Sequence, residues 1–171
     1  MPNPVMPDAT RINVGHEGIL RQIGTVVTHW AFFEAVIEDI IAGFLGSQLH
    51  WVYTITAEIS ISARIEGLRA LARLRLNDTD FAIFQTRLDS FKQLVPFRNK
   101  VVHGLWAETN GSDLCQVSAV KSRGKLKFQT EYINAVYLDW LVEQIDTSGM
   151  AIFQFGQDFG VINKRDDSET P

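Results

Sequence analysis

Three polar residues late in the chain have the types and spacing to work on a phosphate. Arg98, Asn99 and His103 lie in the stretch Phe97-Arg98-Asn99-Lys100-Val101-Val102-His103-Gly104-Leu105-Trp106, inside an otherwise apolar helical pattern. A histidine with an ordinary pKa of about 6.5 can take or give a proton near neutrality. An arginine can clamp a phosphate and stabilise the charge that develops on it. An asparagine can donate to phosphate or hold an imidazole in one tautomer. Such a set supports phosphodiester cleavage without a metal. The 2′-hydroxyl of RNA attacks the adjacent phosphorus, and His103 removes the 2′ proton or protonates the leaving 5′ oxygen. The expected products of such a cleavage are a 2′,3′-cyclic phosphate and a 5′-hydroxyl, and DNA, lacking the 2′-hydroxyl, should not be cut this way.

Helix geometry sets the first constraint on that set. Asn99 and His103 are four residues apart and share a helix face about 40° wide. Arg98 and His103 are five apart, about 140° of rotation, so one straight helix aims them differently. Two copies of the helix, one from each of two chains, could bring them together. Gly104 reads as the helix stop. A purely structural role is the alternative: Arg98 paired to a carboxylate, with Asn99 and His103 capping helix-end carbonyls.

The Arg98-Asn99 pair followed by His103, with four residues between the Arg and the His, resembles the mark of the HEPN superfamily, the higher-eukaryote and prokaryote nucleotide-binding domains. The exit His103-Gly104-Leu105-Trp106 resembles bacterial members whose helix runs directly into a strand, and Trp30 with Glu34 also looks like members of that family. The similarity is one of pattern and covers about residues 14–158. It implies a helical fold, a two-fold homodimer with residues 97–104 near the axis, and metal-independent cleavage of single-stranded RNA by a toxin or defence effector. It also implies an antitoxin or nucleotidyltransferase as a protein partner. Members without cleavage activity imply the alternative, a non-catalytic helical dimerisation or binding module for a protein or nucleotide. Glu34 has a plainer reading, as a solvated or hydrogen-bonded helix residue.

Composition narrows the function classes. The chain has 171 residues and a net charge of −4, so bulk charge does not hold nucleic acid. RNA contact needs a local basic surface, and Lys100, Lys121, Arg123, Lys125 and Lys127 are the candidates. The last four also read as solubilising charges that protect a sheet edge. The single cysteine, Cys115, excludes an intrachain disulfide and a cysteine-based zinc site. The histidines at 16, 29, 50 and 103 lack HxxxH or HExxH spacing, and no phosphate-binding glycine loop or GxSxG elbow occurs. No metal or cofactor is expected. No apolar run is long enough for a membrane span and the N-terminus does not read as a signal peptide, so a cytoplasmic protein is the expectation.

The elements that must position these residues are mainly helical. Residues 1–13, with three prolines, read as a loose arm, and 14–160 as one domain. Apolar residues recur at helical spacing from Gly15 to Leu45, ended by Gly46. A second helical region covers 48–76 with a break near Thr56–Ser60. On its second half Arg64, Arg69, Arg73 and Arg75 read as a solvated face partnered by Glu58 and Glu66. Asn77–Asp80 is a capping turn before a run from Phe81 to Val101. Pro96 either bends that run or opens a separate helix. After Gly104 the period changes to two. Residues 105–130 read as a three-stranded antiparallel meander, with turns at Asn110-Gly111 and Ser122–Gly124. Helix returns from Glu131 to about Phe159, with a possible interruption at Ser148-Gly149, and 161–171 read as a disordered tail. The predicted fold is mainly α, a four- to five-helix antiparallel bundle with a small β insertion before the C-terminal helix.

Overall fold

The computed structural model describes residues 17–109, 114–121 and 127–162. The described chain is mainly helical, with a three-stranded antiparallel sheet inserted before the last helix. Its order is α1 (Glu17–Leu45), α2 (Leu49–Thr56), α3 (Ile61–Arg75), α4 (Asp78–Lys92), α5 (Val95–His103), β1 (Leu105–Glu108), β2 (Cys115–Lys121), β3 (Lys127–Ile133) and α6 (Ala135–Asp158). The arm at 1–13, both hairpin turns and residues 163–171 lie outside the described residues.

Local chemistry explains most boundaries. α1 ends where Gly46 takes φ +62°, and the Ser47 N–H returns to the Ala42 carbonyl, closing the helix with a left-handed residue. α2 is a two-turn segment, and the break after it falls where expected. Ser60 caps α3, Asn77 caps α4 and Asn134 caps α6, each side chain accepting a backbone N–H three residues on. Pro96 sits in the first turn of α5, where its missing N–H costs nothing, so α5 is a separate helix and not the bent end of α4. β3 runs to Ile133, three residues into the stretch whose pattern reads as helix. Ile133 pairs with Cys115 across the ladder, and both are buried. Ser148-Gly149 does not interrupt α6. A side chain at Gly149 would collide with the Phe33 ring, so the glycine is where α1 and α6 approach closely.

Four helices surround the core, α1 beside α3 and α6, and α4 beside α3 and α6. Ion pairs give their directions. Arg73 meets Asp78 while Arg69 meets Asp89, so α3 and α4 are antiparallel. Arg87 reaches the Ala151 carbonyl and Phe84 stacks on Phe155, so α4 and α6 are antiparallel too. Gln22 bonds Asp139 and His29 bonds Asp146, so α1 and α6 lie parallel. The β insertion returns the chain to the start of α1 and permits that arrangement. Core aromatics tie the layers together: Trp30 stacks on Phe91 at 4.6 Å, and Phe84 on Phe155 at 4.3 Å. Each fully buried ring of this kind stabilises by about 1.5–3 kcal/mol. Ile162, just past α6, also packs into this core.

Arg64, Arg69 and Arg73 of the arginine face of α3 are paired; Glu66 is a partner as its spacing proposes, and Glu38, Asp89 and Asp78 supply the rest. Arg64 binds Glu38 of α1 at 2.9 Å, Arg69 binds Glu66 and Asp89, and Arg73 binds Asp78. Glu66 also holds Lys92. None of these pairs uses Glu58. Arg69 and Lys92 hold the Asp89 and Glu66 carboxyls below their usual range; the first cause is the hydrogen bond from Arg69 to Asp89 and from Lys92 to Glu66.

Candidate anion site at the end of α5

α5 is nine residues long and is held at three points. Val95 and Val101 are buried in the core. The Trp106 indole N–H donates to the Val101 carbonyl at 2.9 Å, satisfying an acceptor in the last turn. Lys100 pairs with Glu131 of β3 at 2.5 Å, pinning the helix to the sheet. Gly104 stops the helix as its position predicts, at φ −71°, ψ 150°, in ordinary extended backbone. Space demands the glycine here. A Cβ would press on the Lys100 carbonyl oxygen and on Val117 of β2, so the end of α5 lies directly on the sheet.

These anchors present the three residues together at the surface. Arg98 is half-buried, and Asn99 and His103 are exposed. Arg98 Nη1 donates to Asn99 Oδ1 at 3.1 Å and lies 3.4 Å from His103 Nε2. A ring nitrogen facing a guanidinium can only accept, so this contact exists with Nε2 unprotonated and the ring proton on Nδ1. The length of the arginine side chain spans the angular divergence. One chain alone joins Arg98 to His103, and two copies are not needed for that contact.

Arg98 is not neutralised by an ion pair. No carboxylate pairs with it among the described residues, and its Nε–H is buried without a hydrogen-bond partner. Its support is aromatic: the guanidinium carbon lies 5.7 Å from the centre of the Trp30 ring. Trp30 is completely buried, and its indole N–H donates to Glu34 at 2.6 Å. Glu34 is therefore a hydrogen-bonded helix residue, one step behind Arg98.

The basic residues named from the sequence do not all join this cluster. Lys100 is spoken for by Glu131 and also lies over the Phe97 ring. Lys121 and Lys127 are backbone partners in the last described rung of β2 and β3. That rung is three residues past the one carrying Leu105, roughly 10 Å further along the strands, on the side where α5 ends. Arg123 and Lys125 lie outside the described residues. Phe97 packs edge-on against Trp140, which lies beside Tyr137; burial first, then the Glu131 charge, pushes the Tyr137 phenol above its ordinary pKa.

Long-range packing supplied what spacing could not. Trp30, Glu131, Trp106 and Gly104 each fix part of the site from another element, and only Trp30 and Gly104 carry any local signal. Among the described residues no group of three His, Cys, Asp or Glu side chains is placed to hold a metal ion. No helix of the described residues is long and apolar enough to cross a membrane. No family model matches the chain, and neither a curated protein nor a solved structure does. Fold and site thus define a helical bundle with a β insertion that carries an unneutralised arginine beside an amide and an imidazole.

Proposed function

We propose that the chain is a HEPN-like, metal-independent endoribonuclease that cuts single-stranded RNA by attack of the 2′-hydroxyl. One observation carries the reading: Arg98, free of any carboxylate partner among the described residues, meets Asn99 and His103 at the surface. A phosphate entering there takes the guanidinium and releases His103 Nε2 to accept the 2′ proton. The second proton transfer, to the leaving 5′ oxygen, comes from the same imidazole or from that of a second copy.

The proposed assembly is a two-fold homodimer along α1. Leu20, Gly24, Val27 and Ala31 are exposed and recur on one stripe of that helix. Val27 and Glu34 fall within about 60° of Trp30, so the stripe borders the Arg98 site. This reading assigns RNA contact to Lys121 and Lys127, whose backbones pair in the last described rung of the ladder, on the side where α5 ends. In this reading the protein acts in the cytoplasm as a toxin or defence effector, held by an antitoxin or nucleotidyltransferase. The same apolar stripe equally serves the second reading, a non-catalytic dimerisation or binding module.

Incubation of the purified protein with single-stranded RNA in EDTA separates the two. The enzyme reading predicts cleavage that leaves 2′,3′-cyclic phosphate and 5′-hydroxyl ends, with an all-deoxy strand uncut. RNA left intact at micromolar protein, by a dimer that scatters light as one, replaces it with the second reading.

A further inference from the structure

We infer that Trp30 and Glu34 are positioning residues that hold Arg98 in place while leaving its charge available to a phosphate. The inference rests on the proposed anion role of Arg98 and adds the device that keeps it competent. An arginine this buried is ordinarily steadied by a carboxylate, which also neutralises it. Among the described residues the side chains that Arg98 meets are the Asn99 amide, the His103 imidazole and the Trp30 ring, and none is a carboxylate. An aromatic face attracts a guanidinium through its quadrupole and takes none of its donors.

The negative charge sits one residue further back. Glu34 accepts the indole N–H at 2.6 Å, and Trp30 is stacked on Phe91 at 4.6 Å. The carboxylate fixes the ring and increases its electron density, which strengthens the hold on the guanidinium. No ion pair between Glu34 and Arg98 forms to compete with substrate. The four groups make a relay, carboxylate to indole to guanidinium to imidazole, running from α1 to the end of α5.

The test uses the full chain labelled with 15N, reading the Nε–H signal of Arg98, identified by its loss in Arg98→Lys. A guanidinium over an indole gives a signal shifted upfield by the ring and slow to exchange with water. Glu34→Ala should move that signal toward the position of a free arginine. Glu34→Gln, which keeps an acceptor for the indole, should restore most of the shift. In RNA cleavage, Glu34→Ala should raise KM about 2- to 30-fold, the worth of one cation–π contact, with kcat within about twofold. Trp30→Phe, which keeps a ring and removes the N–H, should behave as Glu34→Ala does. Because Trp30 is a core residue, Glu34→Ala decides the matter should Trp30→Phe not fold. An Arg98 signal unchanged in folded Glu34→Ala overturns the inference. If the wild type cuts no RNA, the enzyme proposal fails while the Arg98 signal still decides this one.

Discussion

Gly104→Ala is the sharpest structural test of the site, because the residue has a free choice of backbone conformation and no choice of size. At φ −71°, ψ 150° any residue could stand there. The added methyl, however, meets the Lys100 carbonyl oxygen and Val117 Cγ1. The carbonyl already accepts the Gly104 N–H at 3.0 Å, and Val117 is 1% exposed on a β-branched, rotamer-restricted side chain. Neither can yield alone, so the last turn of α5 must open around the Lys100 carbonyl and residue 104 must lift from β2 by a distance on the order of 1 Å. Overpacking of this kind costs about 1–3 kcal/mol, and a rigid pair of neighbours places it in the upper half. For a chain of this size 2–3 kcal/mol lowers Tm by about 4–12 °C. A shift of that size also displaces His103, the residue immediately before, and in the proposed nuclease a misplacement of about 1 Å costs about 10²-fold in rate. Thermal denaturation followed by circular dichroism, with RNA cleavage on the same preparation, measures both. An alanine variant as stable and as active as wild type refutes the close contact of α5 with the sheet.

Other elements give further expectations. Arg64→Ala strands Glu38, 7% exposed and otherwise bonded to Thr56 at 2.5 Å, and should cost about 3–5 kcal/mol in urea unfolding; Glu38→Leu with Arg64→Met should recover most of it. Asp89→Asn should lose about 0.5–1 kcal/mol at neutral pH. The native Asp89 carboxyl is held low, so its stabilisation is present above the unfolded pKa and disappears as pH falls through the folded one. Stability curves of variant and wild type should therefore converge in acid, and a constant gap contradicts the Arg69 bond as its cause. Tyr137 has a buried hydroxyl without a partner among the described residues and a raised pKa, so Tyr137→Phe should be neutral or stabilising by about 1–2 kcal/mol. The native phenol keeps its proton where the unfolded one loses it, so wild type is destabilised as pH rises past the unfolded value, and the phenylalanine variant should lose less stability there.

The helices and the β insertion were legible because their signals are local. Apolar spacing marks α1 and α6, Asn77 marks the start of α4, and the change to period two after Gly104 marks the sheet. Boundaries failed where a tertiary partner decides: Glu131–Ile133 fit a helix by pattern, but pairing with Val117 and Cys115 makes them strand. Arg98, Asn99 and His103 were legible as candidates from type and spacing. Their convergence was not, since helix angles ignore the reach of an arginine side chain. Lys100 could not be recognised as a helix-to-sheet tether, because Glu131 is thirty-one residues away. The reason for Gly104 was hidden in the same way: its neighbour Val117 lies on another strand.

In the proposed nuclease Arg98 and His103 act on one phosphate in different roles. Single-turnover cleavage of a labelled single-stranded RNA in EDTA, with binding of the same RNA measured separately, tests it most directly. His103→Ala should lose about 10²–10⁴-fold in rate while binding RNA nearly as well as wild type, since the imidazole moves a proton. Arg98→Ala should lose both rate and affinity, because it supplies the charge that meets the phosphate. A His103→Ala protein that cuts RNA as fast as wild type rules out His103 as the proton-transfer group.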